Sequence, residues 1–341
     1  MKTVFVAGAG GYIGTEMVED FLKRGYYIVA LDRFFFGSTL QDLSKNKRLK
    51  IIKGDIRFLN TELLKGVDVV INLASISNDP SAALNPKITK SINDFGAVKL
   101  ARVAKEAGVK RYIFASSCSV YGAGQGTLSE QSPTSPLSEY AKSKISAEKK
   151  LLLLADNNFI VTIPRISTVF GVSKRRMRFD LLINIMTLHA WKNNKIFIMG
   201  GGRQWRPLIH ISDVIEAFHR IMVEEDIKKI NKQIFNVGSN EQNYQVRQIA
   251  TKIKSHFQDL IIEETPDDPD QRSYKVSFDK IKQTLAFHPK VSVDEGILEV
   301  KEALEKGEIT EDIKTNTMWY YRYLLEADSI LSSVKIRNRL F

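Results

Sequence analysis

The sequence lacks the features of a disulfide-stabilised, secreted or membrane-spanning protein. Its 341 residues include one cysteine, Cys118, so neither an internal disulfide nor a cysteine metal cage can form. No stretch approaches the ~18 consecutive apolar residues that a membrane-spanning helix needs. The first apolar run, 4–9, is brief and passes directly into a glycine turn, which is not typical of a secretory signal. We therefore expect a cytoplasmic protein with no membrane partner.

Basic residues are in excess, but they form no long basic tail. Lysine and arginine number 50 against 39 aspartates and glutamates, which gives a net charge of +11. These residues are spread along the chain, with clusters at 45–53 and 174–178, and lack the aromatic-basic pattern of RNA-binding motifs. The distribution predicts a solvated surface plus an anion-binding pocket, and no nucleic-acid partner. The five histidines lack metal-ligand spacing, so we expect no metal site.

Short apolar strands alternate with amphipathic helical patterns over the first 165 residues. The pattern predicts strands at 3–7, 27–31, 50–53, 67–73, 111–115 and 160–164, and helices at 13–24, 93–107 and 139–154. The strands are mostly unbroken apolar runs, as expected when both faces of a parallel sheet are covered. This alternation predicts an α/β fold, a Rossmann-type doubly wound parallel sheet.

The alternation loosens after residue 165, which predicts a smaller C-terminal lobe packed on the first part. We expect a turn at 200–202, a short strand at 208–210 and a helix at 213–223 capped by Ser212. A stretch rich in proline and aspartate, 265–270, precedes helices at 293–305 and 317–331. The last of these helices is rich in aromatic residues, which favours docking on the body or on a partner subunit.

A glycine loop follows the first strand and leads directly into a helix. Gly8, Gly11 and Gly14 have the spacing G-x-x-G-x-x-G, and a strand, glycine turn and helix N-terminus together form a cradle for a pyrophosphate. Asp32 ends the second strand, where a carboxylate accepts hydrogen bonds from the adenosine ribose. That carboxylate opposes a 2′-phosphate and so favours NAD over NADP, although Arg33 could offset it.

A tyrosine and a lysine lie one helical turn apart in the predicted helix at 139–154. Tyr140 and Lys144 share a helix face, and an ammonium near a phenol is expected to lower its pKa towards the working pH. The tyrosine could then act as a general base on a hydroxyl while a hydride leaves the same carbon. The pair follows, by about 20 residues, a serine-rich segment at the carboxyl end of a predicted strand, where doubly wound folds bind ligands.

These motifs and several later ones resemble, in kind and order, the extended short-chain dehydrogenase/reductases of the nucleotide-sugar epimerase/dehydratase type. The matching residues are Gly8-x-x-Gly11-x-x-Gly14, Asp32, Gly54-Asp55, Asn72-Leu73-Ala74, Ser116-Ser117, Val120-Tyr121-Gly122, Tyr140-x-x-x-Lys144, Pro164-Arg165, Val169-Phe170-Gly171 and Arg206-x-x-Ile209-His210-Ile211-x-Asp213-Val214. They cover nearly the whole chain. The resemblance implies NAD as cofactor, a nucleotide-diphosphate sugar as substrate and a homodimer.

The resemblance also implies a role for individual residues. Ser117 would polarise the sugar hydroxyl, Tyr140 would be the base and Lys144 would hold the ribose, while Arg206 and Arg272 would clamp the sugar nucleotide's diphosphate. The implied cofactor-binding residues are Gly8, Gly11, Tyr12, Ile13, Gly14, Asp32, Arg33, Asp55, Ile56, Leu73, Ala74, Ser75, Asn93, Ser116, Tyr140, Lys144 and Ile166. The implied substrate-binding residues are Ser117, Ser119, Thr168, Arg178, Arg206 and Arg272. We expect an NAD-binding domain at 1–165, continued by parts of 205–240, and a substrate-binding lobe with C-terminal helices at 166–341.

The sequence departs from the family in ways that bear on the reaction. Similar 4,6-dehydratases carry an Asp-Glu pair just after the catalytic hydroxyl residue, whereas this chain has Cys118 and Ser119. Neither is a carboxylate, so we expect dehydration to be disfavoured. Thr168 stands where the family has an asparagine. The segments Arg175-Arg176-Met177-Arg178-x-Asp180-Leu181-Leu182 and Asp268-Pro269-Asp270-x-Arg272 resemble a branch that handles GDP-linked heptoses.

Three functions are compatible with these residues. The leading hypothesis is an epimerase that oxidises C4 of a nucleotide sugar with NAD and returns the hydride to the other face of the sugar. A 4-dehydrogenase of the GDP-heptose type would stop after oxidation. A catalytically silent NAD-binding scaffold or RNA-binding protein would have no chemical use for Ser117, Tyr140 and Lys144. Cys118 is interpreted as a packed residue and not as a nucleophile.

Overall fold

Strands and helices alternate along the described part of this computed structural model, which comprises residues 2–266, 270–336 and 339. The strands are β1 (Thr3–Ala7), β2 (Tyr27–Asp32), β3 (Leu49–Lys53), β4 (Val69–Asn72), β5 (Arg111–Phe114), β6 (Ser116–Ser117), β7 (Ala123–Leu128), β8 (Ile160–Ile166), β9 (Thr168–Phe170), β10 (Lys195–Met199), β11 (Trp205–His210), β12 (Gln233–Val237), β13 (Asn243–Gln245), β14 (Ile261–Thr265) and β15 (Ser273–Val276). The α-helices are α1 (Tyr12–Lys23), α2 (Asp79–Leu84), α3 (Pro86–Lys90), α4 (Ala97–Glu106), α5 (Glu139–Leu154), α6 (Leu182–Asn193), α7 (Ile211–Val223), α8 (Val246–Lys254), α9 (Asp279–Leu285), α10 (Val293–Glu305) and α11 (Thr317–Val334). Within these residues, no helix is both long and apolar enough to cross a membrane.

One large parallel sheet forms the body of the protein. Its strands lie in the order β12-β8-β5-β4-β1-β2-β3, with β6 paired beside β8. The doubly wound α/β fold expected from the sequence is confirmed, and the six strands expected before residue 165 lie within two residues of their predicted bounds. The edge strand β12 comes from the later part of the chain.

The strands of this sheet are apolar on both faces because helices cover both. On β1, Val4 and Val6 pack with α1 and α7, whereas Phe5 and Ala7 pack with α4 and α5. This arrangement explains the unbroken apolar runs in the sequence, since neither face of a central strand meets water. The helix expected at 93–107 is split, because its first residues form a π-helical turn, Ser91–Gly96, before α4.

The part of the chain after residue 165 has a core of its own. Among the described residues three small sheets lie outside the large one, β10-β14, β13-β11-β9 and β15-β7, and β7 of the last comes from the first part of the chain. Helices α6, α8 and α10 pack around β10, whose Ile196 and Ile198 are buried. Helix α10 has the predicted bounds. The predicted cap of α7 is wrong: His210 is the N-cap residue, and its ring accepts a hydrogen bond from the Ser212 backbone N–H. Because β11 continues through His210, the helix begins two residues earlier than the side-chain pattern indicated.

The order of the strands creates a crevice at one edge of the sheet. Strand β1 lies between β2 and β4. The chain continues from β1 to β2 and β3 on one side, and then crosses to β4 and β5 on the other side. Ala7 is level with Leu31 of β2 and Asn72 of β4, so the carboxyl ends of the three strands meet. Doubly wound sheets bind their ligands at such a switch point.

Candidate active site

A cleft of about 860 Å³ opens at this crevice and extends to the C-terminal lobe. The segments that follow β1, β2, β4 and β6 form one wall. The loop between β9 and α6, the start of α11 and the region around Arg206 and Arg272 form the rest. The cleft is therefore long enough to bring a cofactor site and a substrate site together.

The loop after β1 requires glycine at its first and last glycine positions, Gly8 and Gly14. Gly8 has a φ of +83°, and its N–H donates to the Leu31 carbonyl at 2.9 Å. A Cβ atom on Gly14 would lie 2.1 Å from the Gly8 carbonyl oxygen. Gly11 precedes α1 without any side-chain cap, so no side chain competes for the N–H groups of the first turn. Such a helix N-terminus favours an anion.

Asp32 is fixed beside the glycine loop at the end of β2. Its carboxylate accepts hydrogen bonds from the backbone N–H groups of Gly10, at 3.0 Å, and Phe34, at 2.6 Å. Burial raises the pKa of Asp32 above its ordinary value. Arg33 donates to Asp55 at 3.1 Å, so its charge is paired there and does not offset Asp32. These residues fit an NAD molecule, whose ribose hydroxyls are donors for a carboxylate.

Ser117, Tyr140 and Lys144 line one part of the cleft. Ser117 ends β6, and Tyr140 and Lys144 lie one turn apart at the start of α5. The Lys144 Nζ atom lies 5.5 Å from the centroid of the Tyr140 ring and donates to the Ala115 carbonyl at 2.8 Å. Burial lowers the pKa of Lys144 to about 7, against an attraction to Glu148 that raises it.

The expected lowering of the tyrosine pKa is wrong for the chain by itself. Burial raises the pKa of Tyr140 above its ordinary value, and the negative charge of Asp79 raises it further. The Ser117 hydroxyl and the Arg178 guanidinium lower it by smaller amounts. The i, i+4 pattern indicated the Tyr140–Lys144 pair correctly, but it could not show how deeply the phenol is buried.

A buried ion pair lies behind the part of the cleft wall that contains Ser117, Tyr140 and Lys144. Arg165 on β8 donates to Glu148 on α5 at 2.7 and 3.1 Å, and both side chains are almost fully buried. Ser116 also donates to Glu148. Cys118 is 1% exposed and donates to the Arg165 carbonyl, and burial raises its pKa to about 12. These properties agree with a packed Cys118 and not with a nucleophile.

Two arginines of the cleft wall, Arg206 and Arg272, are paired with carboxylates. Arg206 donates to Asp270 at 2.7 Å, and Arg272 contacts both Asp270 and Asp79. Although burial opposes the change, Arg272 and Arg206 lower the pKa of Asp270 to about 2. Asp268 and Pro269 of the predicted motif lie outside the described residues.

The cleft contains most of the residues that the sequence predicted. Its walls include Gly8, Gly11, Tyr12, Ile13, Gly14, Asp32, Arg33, Asp55, Ile56, Leu73, Ala74, Ser75, Ser116, Ser117, Ser119, Tyr140, Lys144, Ile166, Thr168, Arg178, Arg206 and Arg272. Asn93 is an exception, because it is fully buried behind the cleft wall. Its amide bonds the Ile76 backbone N–H at 2.8 Å and the Ile76 carbonyl at 3.1 Å, so it supports the segment after β4.

Sequence reasoning missed several residues in this cleft. Asp79 begins α2 and lies near Tyr140, and the polar run after β4 was a signal for it. Arg176 is 4% exposed, and the sequence named it only within a segment that resembles a GDP-heptose branch, with no role of its own. Thr317 and Tyr321 bring the C-terminal helix into the cleft wall, which no local pattern indicated.

A dinucleotide cradle that shares one cleft with a serine, a tyrosine and a lysine defines an NAD-dependent α/β enzyme of the short-chain dehydrogenase/reductase type. Residues 4–238 match the sequence model of the NAD dependent epimerase/dehydratase family. The match covers more than half of the chain, and the protein belongs to this family. The resemblance to the epimerase/dehydratase family is therefore confirmed, and the cofactor of the family is NAD. The resemblance to a branch that handles GDP-linked heptoses stays a prediction.

Individual relatives in the family differ in their reactions. The chain is 28% identical over 313 residues to the uncharacterized UDP-glucose epimerase YtcB of Bacillus subtilis, a match that covers 86% of this chain and 95% of the relative. It is also 28% identical over 331 residues to the dTDP-D-glucose 4,6-dehydratase of Mus musculus, a match that covers 90% of this chain and 89% of the relative. The structure of MoeE5 in complex with UDP-glucuronic acid and NAD superimposes with a TM-score of 0.78 at 26% identity, covering 89% of this chain and 99% of MoeE5. The expectation against dehydration gains no support from these relatives.

Proposed function

We propose that the protein is an NAD-dependent epimerase of a nucleotide-diphosphate sugar and acts through oxidation at C4. The observation that carries the proposal is a single cleft whose wall contains the glycine loop, Ser117, Tyr140 and Lys144, and the Arg206–Arg272 pair. These three sets of groups suit the three parts that must meet in the reaction: the nicotinamide cofactor, the reacting sugar carbon and the diphosphate.

The chemistry of the trio follows from its geometry. A bound NAD supplies a hydride acceptor. Tyr140, as the phenolate, takes the proton of the C4 hydroxyl while the C4 hydrogen leaves with its electron pair, and a 4-keto sugar remains. Ser117 holds the same oxygen by a hydrogen bond. The reverse transfer, with the proton returned from Tyr140, gives the C4 epimer when the opposite face of the keto sugar receives the hydride.

The charges around Tyr140 set the conditions for this step. Burial and Asp79 both favour the neutral phenol, whereas Arg178 favours the phenolate. Asp79 also contacts Arg272, which is assigned to the diphosphate. A diphosphate that replaces Asp79 as the partner of Arg272 would couple substrate binding to the field at Tyr140.

The diphosphate assignment rests on charge and shape. Arg206 is 7% exposed, and two guanidinium groups at one end of a cleft suit the oxygens of a diphosphate, which they can bind in bidentate fashion. The Ser119 hydroxyl is buried in the cleft wall without a hydrogen-bond partner among the described residues, which suits a sugar hydroxyl. The binding of UDP-glucuronic acid by MoeE5 supports a nucleotide sugar as the substrate class.

Two related reactions are alternatives with distinct products. A 4-dehydrogenase, including one for GDP-heptoses, would release the 4-keto sugar and NADH. A 4,6-dehydratase would need a further acid and base, and neither Cys118 nor Ser119 is a carboxylate. Asp79 is a carboxylate in the same cleft, so the product must be identified and not assumed.

The test is product analysis with NAD and a panel of UDP-, dTDP- and GDP-linked sugars in deuterated water. A C4 epimer formed without net NADH supports the proposal. NADH that accumulates in proportion to substrate identifies the dehydrogenase, and a C6 methyl group with loss of water identifies the dehydratase. The matched control is Tyr140→Phe, which removes only the phenolic oxygen; equal turnover by this variant would refute the assigned chemistry.

A further inference from the structure

The loop between β9 and α6 lies against the first turns of α1, the helix that follows the glycine loop. Tyr12 donates to the Gly171 carbonyl at 2.7 Å. Ser173 bonds the Thr15 hydroxyl at 3.1 Å and Glu16 at 2.9 Å. These contacts fix the loop over the helix N-terminus that is expected to meet the cofactor's pyrophosphate.

Arg176 is the buried arginine of this loop and lies in the wall of the cleft. Its guanidinium stacks on the Phe36 ring at 3.6 Å from the centroid, and Phe36 packs in turn on Tyr320 and Tyr321 of α11. Its Nη2 atom donates to the Thr317 hydroxyl at 3.0 Å. The C-terminal helix therefore holds this side chain in a fixed orientation.

The hydrogen bonding of Arg176 is incomplete in the chain alone. A guanidinium has five N–H donors, and the described residues accept from Nη1 and Nη2 but leave Nε without a partner. Within the same residues Arg176 makes no ion pair, whereas its neighbours Arg175 and Arg178 do: Arg175 pairs with Asp42 and Glu19, and Arg178 with Asp180. A buried charge without a counter-ion is unfavourable, and burial accordingly lowers the pKa of Arg176 to about 10.

We propose that Arg176 binds the pyrophosphate of the NAD cofactor, from the side opposite the glycine loop, and that Thr317 positions it. Pyrophosphate supplies the missing charge and acceptors, and phosphate oxygens suit a guanidinium fork. Arg176 stacks on Phe36, in the segment that follows Asp32, and its charge acts to lower the pKa of Asp32, so it lies on the side of the cleft that holds the residue assigned to the ribose. Arg176 thus extends the predicted cofactor site beyond the glycine loop, and the C-terminal helix contributes to it.

Nucleotide binding to the cofactor-free protein tests the proposal. Calorimetry compares Arg176→Met with the matched control Arg175→Met, which removes the neighbouring charge outside the cleft wall. We expect R176M to lower the affinity for NAD and for ADP-ribose about 10- to 100-fold, because a charge-assisted hydrogen bond is lost. R175M should leave both affinities unchanged. R176K should recover part of the affinity, and Thr317→Val should lower the affinity for NAD by a smaller factor than R176M does.

Thermal unfolding of the cofactor-free variants separates this role from a structural one. R176M should melt at or above the wild-type temperature, because an unpaired buried charge is removed. A lower melting temperature with unchanged NAD affinity would overturn the proposal. Loss of NADP affinity alone would assign Arg176 to a 2′-phosphate, and loss of UDP affinity with normal ADP-ribose binding would assign it to the substrate; either result also overturns it.

Discussion

Replacement of Lys144 by methionine should remove a specific pH dependence from the stability of the cofactor-free protein. Lys144 is 2% exposed, and burial lowers its pKa to about 7 from a value near 10.5 in an exposed chain. Between these two pH values the unfolded chain binds a proton that the folded chain does not. The free energy of unfolding therefore rises with pH across this window, and the contribution is lost as pH falls towards 7.

The magnitude follows from the size of the shift. Each pH unit within the window changes the free energy of unfolding by about 1.4 kcal/mol, so the full window corresponds to about 5 kcal/mol. When the pH rises by two units within this window, the free energy of unfolding of the wild-type protein should increase by about 3 kcal/mol relative to that of K144M. Methionine has a similar length and no charge, so the variant keeps most of the packing.

Urea unfolding of wild type, K144M and Lys142→Met at several pH values is the assay. Lys142 lies on the same helix but is exposed and paired with Glu139, so K142M should follow the wild-type profile. Taking differences between proteins cancels the other titrating groups. Parallel profiles for wild type and K144M would refute the reasoning, because they would mean that Lys144 keeps its proton when folded.

Three other substitutions test the site. Tyr140→Phe should lower turnover about 10²–10⁴-fold with NAD affinity nearly unchanged, and near-normal turnover would remove Tyr140 from the mechanism. Asp32→Ala should lower the affinity for NAD about 10-fold and reduce the preference of the protein for NAD over NADP, because a charged acceptor for the ribose hydroxyls is lost. Calorimetry measures both affinities, and an unchanged ratio between them would contradict this prediction. Asp79→Asn removes a charge that raises the pKa of Tyr140, so the limb of the kcat profile that rises with pH should move to lower pH; an unchanged limb or a shift to higher pH would refute this role of Asp79.

Local patterns were sufficient to predict the sheet and the position of the cofactor cradle. The strand β1 and the helix α5 have the predicted bounds, because hydrophobic periodicity and end signals act over a few residues. Gly14 could be assigned for the same reason: the tight turn requires it wherever the rest of the chain lies. Tyr140 and Lys144 were paired correctly because helix geometry alone places them on one face.

Partners distant in the chain decided the electrostatics. The family resemblance implied that Asn93 binds the cofactor, but in the folded chain Asn93 is buried behind the wall of the cleft. Likewise, the contact between Asp79 and Arg272, 193 residues apart, exists only in the folded chain. Such pairs carry no local signal, since their energy comes from burial of both groups together.

The sequence by itself therefore determined which backbone could form and which groups could react. Tertiary structure decided the charge states of those groups: Tyr140 has a raised pKa, Lys144 a lowered one, and Arg176 lies in the cofactor cleft under the C-terminal helix. The physical reason is the distance along the chain over which each effect acts. Backbone conformation depends on neighbours within a turn or a strand, whereas desolvation and Coulomb energy depend on every group that folding brings nearby.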